Sequence, residues 1–456
     1  MKITILGGAG TRTPLILRAM VARQDRIGLT DLALMDIDEE RLHLMALPTA
    51  RLERSEAVSF NIARTTDLQA ALSGADVVIT TFRVGGSPSR VVDERVPLNH
   101  GVLGQETTGP GGFAMAMRTI PVLLNTIELM RRVSPDAWLV NFANPAGMLA
   151  EAAIRAAGWQ RVVGICDAPH TMRRVAAALL DADTEEIFLD YFGLNHLGWV
   201  RAVTYDGQNI LPRFVRMMQA MERFPGLPFH PDFIAALGLI PNEYLHYYYH
   251  RREAVENILR ADQTRGEQVM ALNTRLFDEL RRLEADGDLP GIEAAYRAYI
   301  RERGETYMTI ETGDQTHPEG FTLAMEEVAS QEGYAGVALG LVEALTGGRP
   351  REMVLNIPNR GAIPTMDDDD VVEVPTYVAR GFVRPLAVGD IPDHCLGLIK
   401  QVKAYERLTI AAAVEGSYAR AVEALAIHPL VPDYATARAI LDEYRQRHGP
   451  LFPKLE

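Results

Sequence analysis

Apolar residues come in short unbroken runs through the first part of the chain and at helical spacing afterwards. The runs are residues 2–6 (KITIL), 31–36 (DLALMD), 76–82 (DVVITTF), 138–142 (WLVNF) and 161–165 (RVVGI). Runs this short, apolar at successive rather than alternate positions, predict strands buried on both faces. Between them lie stretches with apolar residues three and four apart. The first is 11–23, with Leu15, Ile16, Ala19 and Met20, and the others are 114–133 and 146–157. Strand–helix alternation of this kind predicts a parallel sheet covered on both faces, with its chemistry at the carboxyl ends of the strands.

After about residue 195 the pattern changes. Helices are predicted over 212–223, 253–283, 292–303 and 336–345, followed by an extended, proline-punctuated region over 354–386 that contains VLNIPN and VVEVPTYV. A helical block over 396–426 closes the series. The expected fold class is α/β: an N-terminal Rossmann-like parallel-sheet domain (1–195), then a mixed α+β domain (196–456) for substrate binding and oligomerisation. The four acids Asp367 to Asp370 read as a solvated turn, because adjacent like charges repel.

Composition narrows the class. The chain has 456 residues, 46 Lys and Arg against 60 Asp and Glu, and a net charge of -14. That length predicts two or three domains, and the acidic balance argues against a nucleic-acid partner. No apolar run approaches the ~18 residues of a membrane span. The start MKITILGG reads directly as a strand without a leader. Two cysteines, Cys166 and Cys395, cannot make a disulfide framework, so a reduced, cytoplasmic protein is expected.

The strand ends carry the candidate chemistry. Gly7, Gly8 and Gly10 follow the first strand and precede a helix, an arrangement that admits a pyrophosphate at a helix N-terminus. Because Thr13 occupies the last position of the G-x-G-x-x-G spacing, an ordinary strand-to-helix turn is the alternative. Asp36 ends the second strand, where a carboxylate accepts from ribose hydroxyls and favours NAD over NADP; capping the next helix is the alternative. Cys166 ends the fifth strand and His196 lies in YFGLNHLGW. A thiol and an imidazole are too few for a closed zinc site but suit an open one. In NEYLHYYYH, Tyr244, Tyr247 and Tyr248 would share a helical face, most simply as core packing. As a base, a tyrosine needs a nearby cation to lower its pKa from about 10.

Several blocks, taken together, give these residues a context: ITILGGAGTRTP, FRVGGSPSR, DERVPLNHGVLGQETTGPGG, NFANPAG, GICDAP, GLNHLGW, NEYLHYYY, TRGEQVM and VKAYERLTI. In this order, over essentially the whole chain, the sequence resembles glycoside hydrolase family 4, the NAD- and divalent-metal-dependent glycosidases. The likeness is greatest to the 6-phospho-β-glucosidase branch. This family departs from the usual two-carboxylate route. The resemblance implies oxidation of the sugar at C3 by NAD, removal of the acidified C2 proton, elimination of the C1 substituent, water addition and re-reduction of C3. It implies Cys166 and His196 as ligands of manganese or a similar metal, and Tyr244 as the base. Substrate contacts would be Arg90, Asn144, Arg265 and Glu106; Arg83 joins Gly7, Gly8, Gly10 and Asp36 at the cofactor.

Two departures from the family pattern matter. Asp167 stands where β-specific members carry Asn and α-specific members carry an acid that protonates the leaving group. RGETYMT (303–309) replaces a GGSxYS stretch, and its Glu305 would repel a phosphate if it faced the pocket. An α-specific or non-phosphorylated-substrate relative, or a plain NAD-dependent dehydrogenase, is the competing expectation. The expected partner is a small, 6-phosphorylated glycoside, without nucleic acid or membrane, acted on by a homodimer or homotetramer.

Overall fold

The computed structural model describes residues 1–220, 227–313 and 335–456. Strands β1 (Lys2–Leu6), β2 (Asp31–Met35), β3 (Asn61–Thr65), β4 (Val77–Thr80), β5 (Trp138–Asn141) and β6 (Val162–Gly164) lie parallel in the order β3-β2-β1-β4-β5-β6. This is the doubly wound order, with its switch point between β1 and β4. Alternate residues feed two cores. Ile3, Ile5, Val77, Ile79 and Val140 face one side, and Leu6, Val78 and Leu139 the other. β3 escaped the sequence reading because it is an edge strand, with no fully buried residue to make an apolar run.

A hairpin follows: β7 (Phe188–Leu194) and β8 (Leu197–Tyr205), with β9 (Gln208–Asn209) and β10 (Ile240–Pro241) also paired to β8. The boundary expected between residues 195 and 196 falls on the two-residue turn of this hairpin. The main sheet also runs across it. β11 (Arg351–Pro358), β12 (Val371–Ala379) and β13 (Phe382–Pro385) add antiparallel to the β6 edge, giving nine strands. The α/β class is as expected, and the mixed part of the fold is fused to the parallel sheet through Asn356 opposite Gly164.

Local signals explain where helices stop. The stretch read as 253–283 is two helices, Arg251–Ala261 and Arg265–Ala285, parted at Asp262 (φ 53°) and restarted by a Thr264–Glu267 capping box. The closing block likewise breaks into Asp393–Glu415 and Tyr418–Ile427 at Gly416 (φ 68°). Of the helix expected over 212–223, Leu211–Ala220 is observed, and residues 221–223 lie outside the described residues.

Two expectations need correction. Helix Pro110–Val133 is long and apolar enough to cross a bilayer by length and composition, but it is a core helix whose apolar residues pack beneath the sheet. In the acidic run, Asp367, Asp368 and Asp369 are exposed as expected, whereas Asp370 is buried and paired to Arg155 and Arg407. Two guanidiniums offset its desolvation.

Candidate active site

The glycine turn is set by close approach of backbone to backbone. Gly7 has φ 98°, and a Cβ there would lie 2.6 Å from Phe82 N at the end of β4, so no larger residue fits the switch point. The N–H groups of Gly7 and Gly8 both donate to Met35 O, at 2.9 and 2.8 Å. Gly10 then hands the chain to helix Thr13–Ile27, whose N-terminus has no side-chain cap. Its first-turn N–H groups and dipole therefore suit an anion. Asp36 stands at the rim of this turn and accepts from Ala9 N (3.1 Å) and Ile37 N (2.8 Å). The capping alternative belongs to Asp38, which accepts from Arg41 N at the start of the next helix. Ile37, 89% exposed beside Asp36, is an apolar surface at the nucleotide end that the sequence reading did not single out.

The second group gathers around Tyr244. His196 occupies the β7–β8 turn with φ 61°, an uncommon conformation for a residue with a side chain. Its ring stacks on that of Tyr244, with centroids 3.6 Å apart and planes at 6°. Thr107 Oγ1 lies 2.9 Å from His196 Nδ1, which leaves Nε2 as the nitrogen available to a ligand. Thr107 is delivered by the GQETTGPGG loop, and a Cβ at Gly112 would come 2.1 Å from Thr107 O. Burial holds His196 down to about 4, so the imidazole is neutral near pH 7.

Tyr244 sits in a short 3-10 turn, Glu243–Leu245, capped by Asn242, which accepts from Tyr244 N at 3.0 Å. Tyr247 and Tyr248 belong to the next helical turn; Tyr247 is core, packed with Leu98, Ala254 and Ile258. Tyr307 OH donates to Tyr244 OH at 3.1 Å. Burial pushes the Tyr244 phenol well above 10, and the neighbouring Tyr307, Glu243, Cys166 and Asp167 push it further. Burial likewise raises the Cys166 thiol, with Glu373 and Asp167 adding to it. Both groups would ionise readily only beside a cation, and a buried thiol with a neutral imidazole is a donor set for a transition metal. The residues therefore fit such an ion, and among the described residues no third His, Cys, Asp or Glu joins them.

Arginines form the third group. Arg90, buried on helix Gly86–Asn99, pairs with Glu94 at 2.8 Å and with Glu106 at 3.0 Å. Arg83 also bonds Glu106, so that carboxylate bridges an expected cofactor residue and an expected substrate residue. Burial would raise Glu106, but Arg83, Arg90 and Arg303 hold it down to about 2. Glu94 accepts from Gly266 N at 2.6 Å, which docks the start of helix Arg265–Ala285 against Arg90. Arg265 donates to Gln268 Oε1 (2.5 Å), Thr306 Oγ1 (2.6 Å) and Arg303 O (2.7 Å) and, among the described residues, pairs with no carboxylate. Burial and the nearby Arg90 lower it to about 10.

The remaining residues complete the rim. Asn144, in a cis bond to Pro145, is the one residue of 141–150 that is not fully buried. Asn141 fixes this bend through Ala143 O and Ala146 O. Asp167 is half exposed, 4.0 Å from the Cys166 thiol and 3.7 Å from Arg12. Glu305 is exposed, and RGETYMT meets Arg265 through Thr306 and the Arg303 carbonyl instead. Thr107, Thr306 and Tyr307 were missed by sequence reasoning, since a hydroxyl in a loop carries no spacing signal. Glu373 was missed too, although it is fully buried and bonded to Tyr191 (2.8 Å) and Asn356 (2.8 Å).

A doubly wound sheet with a glycine turn at its switch point defines a Rossmann-like α/β fold, and Cys166 after β6 and His196 in the β7–β8 turn are buried donor side chains. Residues 2–182 match the family 4 glycosyl hydrolases, and residues 191–431 match the C-terminal domain of that family. The chain belongs to the family 4 glycosyl hydrolases. It is 34% identical over 462 residues to the probable 6-phospho-beta-glucosidase of Bacillus subtilis (strain 168), covering 100% of this chain and 98% of that protein. A Thermotoga maritima 6-phospho-beta glucosidase, solved with manganese, NAD+ and glucose-6-phosphate, superposes with a TM-score of 0.83 at 28% identity, covering 100% of both chains. A 6-phospho-alpha-glucosidase from gut microorganisms, solved with NAD and Mn2+, superposes with a TM-score of 0.84 at 29% identity, covering 100% of this chain and 99% of that one.

Proposed function

We propose that the protein hydrolyses 6-phospho-glycosides, as a 6-phospho-β-glucosidase, with NAD and manganese or a similar divalent ion as cofactors. The observation that carries this reading is the meeting of Arg265, which among the described residues pairs with no carboxylate, with the Tyr244–Tyr307 pair through the 306–307 segment. An anion-seeking guanidinium and a proton-abstracting phenol then face one small molecule. Bound NAD supplies a reversible hydride acceptor for C3, and the bound metal ion polarises the C2 and C3 oxygens.

The chain's own residues do the rest. Gly7, Gly8, Gly10, Asp36 and Arg83 bind and orient the dinucleotide. Cys166 Sγ and His196 Nε2 hold the metal ion, with Thr107 fixing the imidazole. Tyr244 removes the C2 proton, its phenol stabilised as the anion by the neighbouring cation. Arg265 and Arg90 bind the sugar phosphate, because planar guanidiniums pair with phosphate oxygens, while Asn144 and Glu106 contact the sugar. Glu106 is ionised throughout the working range, so it accepts hydrogen bonds from hydroxyls.

Asp167 favours a second reading, α-specificity, because an acid beside the metal thiol is positioned to protonate a leaving group. One panel separates the readings: α- and β-nitrophenyl glycosides, each with and without a 6-phosphate, assayed with NAD, manganese and reductant. Turnover of the phosphorylated β-glycoside alone, without net NADH, supports the first reading. Turnover of the α-anomer alone supports the second, and one NADH per substrate points to a dehydrogenase.

The same reading includes a reducing, cytoplasmic setting, supported by two buried free thiols, one of them a metal ligand here. It also includes a homodimer or homotetramer. Exposed Phe382 on the edge strand β13, packed against exposed Tyr377 of the neighbouring β12, supports that, because an edge of this kind is usually covered. Light scattering after size exclusion measures the assembly directly.

A further inference from the structure

The glycine turn is touched from an unexpected direction. Helix Leu289–Glu305 sends three side chains to Thr11, the residue after Gly10. Tyr296 OH donates to Thr11 O at 2.8 Å. Tyr299 OH lies 3.0 Å from Thr11 Oγ1 and 2.7 Å from Asn273 Oδ1. Arg303 Nη1 donates to Tyr299 OH at 2.6 Å and reaches Thr11 Oγ1 at 3.3 Å.

Those two bonds use one guanidinium nitrogen. Among the described residues, no carboxylate lies within ion-pair distance of Arg303, and its Nε and Nη2 make no hydrogen bond. Burial lowers its pKa; Tyr299 opposes that, and Arg12 and Arg90 add to it. Glu106 feels Arg303 only from beyond ion-pair distance, and a desolvated guanidinium with unfilled N–H groups is costly unless an anion joins it directly. The uncapped N-terminus of helix Thr13–Ile27 begins two residues from Thr11, so the anion has a place to lie.

We propose that Arg303 is a cofactor contact contributed by the C-terminal half, donating its unused N–H groups to the pyrophosphate of the dinucleotide. The same helix continues into Thr306, which holds Arg265, and Tyr307, which holds Tyr244. Dinucleotide binding thus steadies the segment that bears on the sugar end.

Calorimetric titration of the full chain with NAD, ADP-ribose, adenosine and glucose 6-phosphate tests this without turnover. For Arg303→Met, NAD and ADP-ribose should bind roughly 10- to 100-fold more weakly, the loss of charge-assisted bonds. Adenosine, which lacks the pyrophosphate, and glucose 6-phosphate should bind as before. Arg303→Lys should recover part of the NAD affinity, since a point charge replaces a planar fork. Unchanged NAD affinity in Arg303→Met would overturn the proposal. Loss confined to glucose 6-phosphate would overturn it as well and assign Arg303 to the sugar phosphate. If Arg303→Met fails to bind adenosine and so is misfolded, Arg303→Lys decides: full NAD affinity refutes the planar contact, and partial affinity with normal adenosine binding supports it.

Discussion

The backbone of the cradle at Gly7 is local, since β1, the turn and the end of β2 all lie within residues 2–36, while Phe82 and helix Leu289–Glu305 only brace it from outside. The group proposed to act with Tyr244, namely Arg90, Thr107, Asn144, Cys166, His196, Arg265 and Tyr307, shares no single element. One site is defined by backbone shape and tolerates no side chain at Gly7. The other is defined by side chains held against one another across the fold. The contrast predicts different failures: changes at the cradle should weaken one ligand's binding, and changes in the pocket should stop chemistry while leaving that binding intact.

The largest effect tests the pocket. Cys166→Ser and His196→Ala should each lower kcat by roughly 10³-fold or more, since a Lewis acid contributes several kcal/mol. NAD affinity by calorimetry should stay near normal. Metal-stripped enzyme that keeps full activity, checked by elemental analysis, would break the division between the two ends.

Next comes Tyr244→Phe, which keeps the ring stacked on His196 and removes the hydroxyl. A drop of roughly 10²-fold or more in kcat is expected. Turnover in heavy water should put deuterium at C2 of the product sugar, read by NMR. Product free of deuterium at C2 would exclude the elimination route whatever the variant showed.

Of intermediate size, Arg265→Met should raise KM for a phosphorylated substrate roughly 10- to 100-fold with little change in kcat, the signature of lost ground-state binding. Asp36→Ala should weaken NAD by about 1–3 kcal/mol, the cost of hydrogen bonds to a charged acceptor, with KM for the sugar unchanged once NAD is saturating. Crossed effects between these two variants would merge the sites the comparison separates.

The smallest effect is on stability. Burial pushes Glu373 up to about 7 from 4.5, against hydrogen bonds from Tyr191, Asn356 and Asn195. The folded protein therefore binds more protons than the unfolded chain between these values. Stability falls as pH rises through that window and levels off above it. Thermal melting at pH 5 and pH 8 should differ, and Glu373→Gln should narrow the difference.

How far these sites were legible in the sequence follows from the same contrast. The parallel strands and Gly7, Gly8, Gly10 and Asp36 are consecutive features, and short-range pattern found them. Asp36 became separable from a capping role only once Asp38 was seen to cap. Cys166, His196 and Tyr244 carried chemical potential but no spacing rule, so the family motifs supplied what periodicity could not. Thr107, Thr306 and Glu373 had neither: their importance is a distance to a residue far along the chain. β3 was lost because its burial is partial, and the pairing of β11 with β6 because a change of composition at 195 does not reveal that the chain returns to the first sheet.

That return has a consequence for how the chain comes to be folded. Residues 1–182 can form β1 to β6, but the free edge of β6 meets its partner only when β11, residues 351–358, has been synthesised. Until then Val162–Gly164 presents unpaired backbone groups at an apolar, fully buried strand, the kind of edge that recruits another chain. The N-terminal half made alone should therefore be short-lived or aggregate, and supplying residues 183–456 as a separate chain should rescue it. The two halves of this enzyme are divided by chemistry and joined by their folding order.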